Sequence, residues 1–317
     1  MIFNKNGQGA AELHRLTGIY YASNDFSAIE SEIHFAMREV AALVGDAVVS
    51  KAENRYLSDD YSDESTAADD VLVRRVQLPI ACLAIARHAG QTLVSHEDSG
   101  RKVKKDDNET LPWEWIIDRD DRALREKYCR ALDTLYAYLE DANLEEWSDS
   151  PARHLRTESI VKTLAAFEAI YPIEHSYYTY YLLLPLIVES QQLIVQPAMG
   201  DKWAAITGTI VADADLPLLR FASRVAVLQA VATAVERWSL EVFPLSIARR
   251  FNPTYQGNRA STAATTAEME WAIGKLRAQA DTAMNELLSA LNDGANPYEG
   301  YPLLPKNSRR NKFFNAG

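Results

Sequence analysis

With 317 residues, 47% of them hydrophobic, the chain is long enough for two domains with real cores. Its formal net charge of −11 argues against general nucleic-acid binding, which needs a basic face to neutralise phosphates. The charge is uneven. Residues 294–317 hold Lys306, Arg309, Arg310 and Lys312 against Glu299 alone, a balance of +3 that leaves the rest at −14.

In chain order, residues 1–25 read as an N-terminal arm, with Leu13, Leu16, Ile19 and Tyr20 able to make a short amphipathic turn or two. Asn24-Asp25 caps the first clear helix, whose Ile29, Ile33, Met37, Val40 and Val44 recur at helical spacing. Gly45 is placed to interrupt it. Residues 58–70 are an acidic, solvated loop. A second helix spans about 70–95, with Val76, Ile80, Leu83 and Ala84 on its apolar face; Pro79 either kinks it or lies in its first turn. Residues 96–117 are polar and irregular, with Asp106-Asp107-Asn108 able to turn a hairpin. A third helix, about 118–143, carries the stripe Leu124, Tyr128, Leu132, Leu135 and Leu139.

Residues 144–156, with the turn-rich Trp147-Ser148-Asp149-Ser150-Pro151, read as a linker. A lead-in helix follows at 157–170 and ends at Tyr171-Pro172. The next helix shows Tyr177, Tyr180, Tyr181, Leu184 and Val188 on one side and stops at Gln196-Pro197 and Gly200. Asp215-Leu216-Pro217 is an N-cap followed by a first-turn proline, opening a helix with Phe221, Val225, Leu228, Ala232 and Val235 in step. Residues 246–262 form a long loop. A last helix, about 263–292, turns Ile273, Leu276, Ala280, Met284, Leu287 and Leu291 inward and ends at Gly294 and Pro297. The best strand candidates are Leu193–Val195 and Thr207–Val211, both short. The fold expected is all-α.

The series of three helical segments occurs twice. Phe26-Ser27-Ala28-Ile29 reappears as Phe167-Glu168-Ala169-Ile170, 141 positions later; a helix opened by Asp70 as one opened by Asp215, 145 later; Leu132-Asp133-Thr134 with Leu139 as Ala280-Asp281-Thr282 with Leu287, 148 later. The expected organisation is therefore two tandem helical bundles: 1–145 with the N-terminal arm, 146–295, and an extended C-terminal tail, 296–317. One tandem pair fits this length better than a solenoid of many short units.

The pattern contains no recognised catalytic constellation. The six histidines, His14, His34, His88, His96, His154 and His175, include no His-Glu-x-x-His motif. Glu30 and His34, four apart, read as a surface ion pair, because a di-iron bundle needs Glu-x-x-His pairs on two helices and two further glutamates. Gly7-Gln8-Gly9 lacks the strand and glycines of a nucleotide loop and reads as a flexible arm. The acidic loop lacks the ligand spacing and glycine of a calcium loop. His96-Glu97-Asp98 lies in a loop where no special role is required. Cys82 and Cys129 read as free thiols packed like small hydrophobes, although periodicity leaves a bridge open; free thiols suit a reducing cytosol. No signal-peptide pattern opens the chain. The longest apolar run, Tyr177 to Val188, is too short to span a bilayer and contains Pro185. No enzyme activity, cofactor, metal or membrane contact is expected.

Two features resemble contact surfaces. The tyrosine-rich helix, with Tyr171, Tyr177, Tyr178, Tyr180 and Tyr181, is aromatic on more than one side, so it is either central to a core, the simpler reading, or covered by a partner. The tail alternates prolines with Tyr298, Tyr301, Leu303, Leu304, Phe313 and Phe314, and with the bases Arg309, Arg310 and Lys312. An extended peptide with aromatic anchors suits a neighbouring subunit or partner, and the acidic body complements its charge.

An acidic helical chain of paired bundles, long inter-helix loops and an arm-like tail resembles the head-to-tail connector (adaptor) proteins of tailed bacteriophages. These are small helical bundles that assemble as a ring beneath the portal. Phe26 through Val44, Val71 to His88 and Leu124 to Leu139 look like one such bundle. Phe167 to Leu193, Phe221 to Trp238 and Ile273 to Leu291 look like a second. The texture is also similar to that of duplicated proteins from phages and prophages of gut Bacteroidetes. Two fused bundles depart from the usual single one. The resemblance implies a virion neck protein, made in the host cytoplasm, whose partners are itself in a ring of twelve copies, the portal protein, and tail or neck proteins. DNA would only pass through the channel, sliding along an acidic lumen that repels it. Loops 96–117 and 246–262 would face neighbours or the channel, and the tail would clasp the portal or an adjacent subunit. The first bundle would mainly build the scaffold and the second make the specialised contacts. The alternative is a helical adaptor or scaffold protein of a non-viral bacterial complex.

Overall fold

A computed structural model describes residues 1–20, 23–92, 94–97, 100–103, 113–208, 210–238 and 266–292. Among these the chain is almost entirely helical, as its periodicity predicts. The amino-terminal half contains α1 (Gly9–Thr17), a 3-10 turn (Phe26–Ala28), α2 (Glu30–Val44), α3 (Asp46–Leu57), α4 (Ala68–Thr92) and α5 (Glu114–Asp141). Between α4 and α5, β1 (Val94–Glu97) and β2 (Gly100–Val103) pair antiparallel, Val94 opposite Val103. The hairpin turn expected at Asp106–Asn108 lies outside the described residues.

α2 buries Ile33, Ala36, Val40 and Val44, one face at helical spacing. Asp25 accepts the Ser27 amide at 2.9 Å and so caps the 3-10 turn that leads into α2, not α2 itself. Gly45 ends α2 with φ +100°, a conformation L side chains rarely adopt, and a Cβ there would lie 3.2 Å from that of Ser150. α4 is the centre of this half, packed against α1, α2, α3 and α5. Pro79 lies buried well inside it, away from the first turn. The Gly7-Gln8-Gly9 segment is no loose arm. Ile2 and Phe3 are buried beside it, and the Gly9 amide donates to Asn4 Oδ1 at 3.0 Å where α1 begins.

The segment expected to be a linker is folded. α6 (Glu145–Ser148) and α7 (Pro151–Glu158) occupy it, and Trp147 is 2% exposed. Ser150 and Pro151 carry turn chemistry because they start a helix: Ser150 Oγ accepts the Arg153 amide at 3.2 Å and Pro151 takes the first position. The full lead-in helix expected at 157–170 is absent among the described residues: α7 ends at Glu158, and beyond it only the short α8 (Leu164–Glu168) forms.

α9 (Tyr177–Ser190) follows, then a π-helical turn (Gln191–Val195), α10 (Gln196–Met199), α11 (Trp203–Thr207), α12 (Leu216–Arg237) and α13 (Thr266–Asn292). The strand expected at Leu193–Val195 is that π turn: the helix before it continues, and tertiary packing overrides the β preference of Ile194 and Val195. Of the second expected strand, Thr207 ends α11, and the described residues after it form no strand. Asp215 stands before α12 but makes no side-chain cap. α12 lies between α9 and α13 and buries most of its circumference in alanine and valine.

Buried side chains from both halves form one apolar core, continuous through α5, α6 and α9. The helical run Tyr177–Thr207 and the segment Asp213–Arg237 are each long and apolar enough to cross a membrane, which the interrupted Tyr177–Val188 run did not suggest. Within the protein 50% and 67% of their apolar windows are buried, so the apolarity builds the core.

Candidate functional site

Among the described residues, several groups able to carry chemistry are engaged in packing or in ion pairs. Burial pushes both thiols up to about 11, Cys82 and Cys129 alike, and both are free. Burial lowers the His88 pKa, against the opposing pull of Glu32. His175 meets Glu168 at 2.5 Å but is itself nearly fully exposed. Among the described residues Glu30 and His34, expected to pair, make no ion pair. Among the described residues no three His, Cys, Asp or Glu side chains gather to hold a metal ion. The acidic segment at 58–70 is not simply solvated. Asp70 is buried, and Arg55 Nε donates to it at 2.5 Å, which holds its carboxyl below the usual range. Arg74 closes the loop by donating to the carbonyls of Asp63 at 2.7 Å and Ser65 at 2.6 Å.

The densest polar arrangement lies where the halves meet. At the start of α9, Ser176 Oγ accepts the Thr179 amide at 3.1 Å. Asp133, reaching from α5, accepts the Tyr178 amide and the Ser176 hydroxyl, each at 2.9 Å. Burial raises the Asp133 pKa, opposed by those two hydrogen bonds. A carboxylate here also meets the positive end of the α9 dipole.

Two turns along, Glu140 gathers three donors: the Trp147 indole at 3.3 Å, the Tyr181 hydroxyl and the Arg156 guanidinium. Both partners of that ion pair are largely buried, at 10% and 18% side-chain exposure, and Arg156 Nε has no acceptor among the described residues. Around them Tyr136 stacks on Tyr181 with centroids 4.6 Å apart, and Trp147 meets both rings edge-on. Tyr178 packs edge-on against Tyr128 of α5, and burial pushes its phenol up to about 12. Tyr180 and Tyr181 of α9 are therefore core residues, Tyr180 edge-on to Phe167 and Tyr181 against Tyr136 and Trp147, with Tyr177 and Tyr178 packed against that core. Asp133 was visible in the sequence only as part of the repeated Leu132-Asp133-Thr134; the role of Glu140 left no signal, because its three partners come from three different elements.

The exposed large apolar side chains fall at a few places. Leu193, Ile194, Ile210 and Leu216 follow one another along the second half, with Ile210 89% exposed. Phe35 projects from α2, and Trp271 and Leu288 from α13. The polar hollow beside the π turn is lined by Gln191, Gln192, Gln196, Trp203 and Thr207. Its Gln191 is fixed, donating to the Glu158 carbonyl at 2.8 Å and accepting the Ile160 amide at 3.0 Å.

The tail residues expected to bind a partner, Tyr298, Tyr301, Leu303, Leu304, Arg309, Arg310, Lys312, Phe313 and Phe314, lie outside the described residues, as does loop 246–262. A family model described as "Family of unknown function (DUF6712)" matches residues 40–157 and 207–311. No curated protein and no solved structure matches the chain.

Proposed function

The chain belongs to the DUF6712 family of unknown function, and from that premise we propose that it is a structural virion protein. In this reading it is a head-to-tail connector, or adaptor, forming a ring that joins the portal to the tail around the DNA channel. The observation that supports it is a pattern of buried positions that a doubled helical scaffold would produce. In α2, Ile33, Ala36, Val40 and Ala41 are buried, and so are Tyr180, Leu183, Ile187 and Val188 of α9, 147 positions on. Leu72, Val76, Ile80 and Ala84 of α4 correspond in the same way to Leu218, Ala222, Ala226 and Ala230 of α12, at 146. Leu124, Leu132, Leu135 and Leu139 of α5 correspond to Ala272, Ala280, Ala283 and Leu287 of α13, at 148. The matched polar pair Gln77 and Ser223 keeps the α4–α12 register even where burial is costly. This register places Asp70 opposite Leu216, one residue from the Asp215 pairing read from sequence alone.

The two segments matched by the family model each hold one pair of packed long helices, α4 with α5 and α12 with α13. A tandem duplication accounts for that pairing and for the three burial registers together. Two such units on one chain are building blocks for a repeating assembly, and a net charge of −11 lets DNA pass without adhering. The partners in this reading are further copies of the chain, the portal and tail or neck proteins.

Electron microscopy and mass photometry of the purified protein, alone and with a portal, test it. A ring is expected, twelve copies being the number the connector resemblance implies. Monomers under both conditions overturn it. Deleting residues 296–317 should abolish portal binding; a tail that instead captures a non-viral bacterial complex favours the helical-adaptor reading.

A further inference from the structure

α5 buries two sides. One is the stripe that faces α4; the other, Asp133, Tyr136 and Glu140, faces α9 and α6. At the register of 148, the second side of α13 is Asp281, Met284 and Leu288. There Asp281 is exposed and forms no ion pair among the described residues, and Leu288 is 40% exposed. The α9 residues that meet α5, Tyr178 and Tyr181, correspond at 147 to Ser31 and His34 on α2. Both are exposed, and Phe35 beside them is 54% exposed. The start of α9 is capped by Ser176 and Asp133, whereas α2 starts without a side-chain cap. Among the described residues the chain thus carries one completed joint and, at Ser31, His34 and Phe35 and at Asp281 and Leu288, the exposed halves of another, with Met284 partly buried against the core.

We propose that a second copy of this chain docks the Ser31, His34 and Phe35 face of its α2 on the Asp281, Met284 and Leu288 side of α13. The contact remakes between chains the joint that α5 and α9 make within one. It rests on the duplication argued above and not on the virion role. Charge favours the same occupant. Asp281 takes the place of Asp133 and faces the Ser31 amide and hydroxyl in the uncapped first turn of α2. Contacts in the existing joint advance together along both helices: Tyr178 lies by Asp133, and Tyr181 by Tyr136 and Glu140. In the same sense Arg38, one turn past His34, reaches the carbonyl end of α13, where a cation is favoured. Arg38 forms no ion pair among the described residues. The two faces differ, so the contact is head-to-tail and propagates into a closed ring or an open filament.

Full-length chains carrying Phe35→Asp or Leu288→Asp test this by mass photometry, with circular dichroism to verify folding; both side chains are exposed, so the helices should be retained. Wild-type protein should oligomerise, and each variant alone should be monomeric. An equimolar mixture should give a one-to-one dimer and nothing larger, because each variant keeps one intact face. Oligomers that survive either substitution, or a mixture that stays monomeric, overturn the docking. Rings that survive both substitutions overturn it while leaving the connector reading standing. Wild-type monomers with and without portal overturn both. Monomers in which Leu288→Asp exposes residues 296–317 to protease assign the α13 face to the chain's own tail, and also overturn the docking.

Discussion

Asp133 of α5 holds the first turn of α9: one carboxylate oxygen accepts the Tyr178 amide and the Ser176 hydroxyl, each at 2.9 Å. A residue of one half thus completes the helix start of the other, and folding of α9 is coupled to the presence of α5. The raised pKa gives this contact an unusual pH dependence. Because the folded carboxyl sits above the ordinary value, the folded state holds its proton longer, and the stability associated with that proton is present below the unfolded pKa and lost as pH rises through the folded one. Asp133→Asn removes the titration. The stability difference between wild type and variant, followed by thermal unfolding from about pH 4 to 7, should shift in the variant's favour as pH rises. A difference that shifts toward wild type over that range would contradict a raised Asp133 pKa.

Asp70 should behave with the opposite sign. The Arg55 guanidinium lowers its folded pKa, so the stabilisation is present above the unfolded carboxyl value and lost as pH falls through the folded one. Arg55→Ala leaves the buried carboxylate without its charged partner. It should lower the melting temperature at pH 7, with a smaller deficit in acid. Calorimetry at neutral and acid pH reads both.

Glu140→Ala should be among the most damaging single substitutions outside the apolar core. It strands a largely buried Arg156 and removes the acceptor of Trp147 and Tyr181. Breaking one partner of a buried ion pair costs about 3–5 kcal/mol. Glu140→Leu combined with Arg156→Leu should recover much of that loss, because two apolar groups leave no charge unpaired. Denaturant unfolding of wild type, Glu140→Leu, Arg156→Leu and the double variant gives the coupling energy; additive losses would show that the pair is not coupled.

Gly9→Ala should destabilise although Gly9 lies at the start of a helix, where alanine is ordinarily favoured. A methyl group there overlaps the ring of Phe26, which is 9% exposed in the core. Overpacking of this kind costs about 1–3 kcal/mol. Adding Phe26→Leu, which vacates the space, should relieve part of the cost.

Both thiols should be slow to react. With burial raising Cys82 and Cys129 to about 11, little thiolate exists at pH 8. Alkylation should lag in the native protein and complete on unfolding. Rapid labelling of Cys82, which is 2% exposed, would reveal a local opening of α4.

Much of this fold is legible in the sequence where one face of a helix does one job. Leu124, Leu132, Leu135 and Leu139 are buried as their spacing predicts, with Tyr128 of the same stripe partly so; on α13 Leu276, Ala280 and Leu287 are buried while Ile273, Met284 and Leu291 are partly buried. Legibility fails where a residue type has two meanings. Ser150-Pro151 is equally the signature of a linker and of a helix start, and only the burial of Trp147 decides between them. Asp70 is hidden in a run of acids because its partner, Arg55, lies 15 residues away on another helix, beyond any local pattern. Ile194-Val195 has the composition of a strand, yet the helix before it is already anchored at Tyr180 and Ile187 and carries the backbone onward. Of the candidate site, Asp133 could be marked but not assigned a role, since a periodic reading identifies faces and not the partners that cover them.

The π turn at Gln191–Val195 has a consequence for descent. A π turn holds one residue more than the α-helical turn it replaces. Here that extra residue lets Leu193 sit 69% exposed while Val195 and Met199 still reach the core. Because the turn absorbs that residue locally, deleting it together with a return to ordinary pitch leaves Val195 and Met199 facing the core, whereas deleting one residue from the α-helical part of α9 would rotate everything beyond it by about 100°. The bulge is thus the place where this helix can gain or lose a single residue at little cost to the core. In other DUF6712 sequences a one-residue length difference is therefore expected at this turn before it is expected elsewhere in the helix.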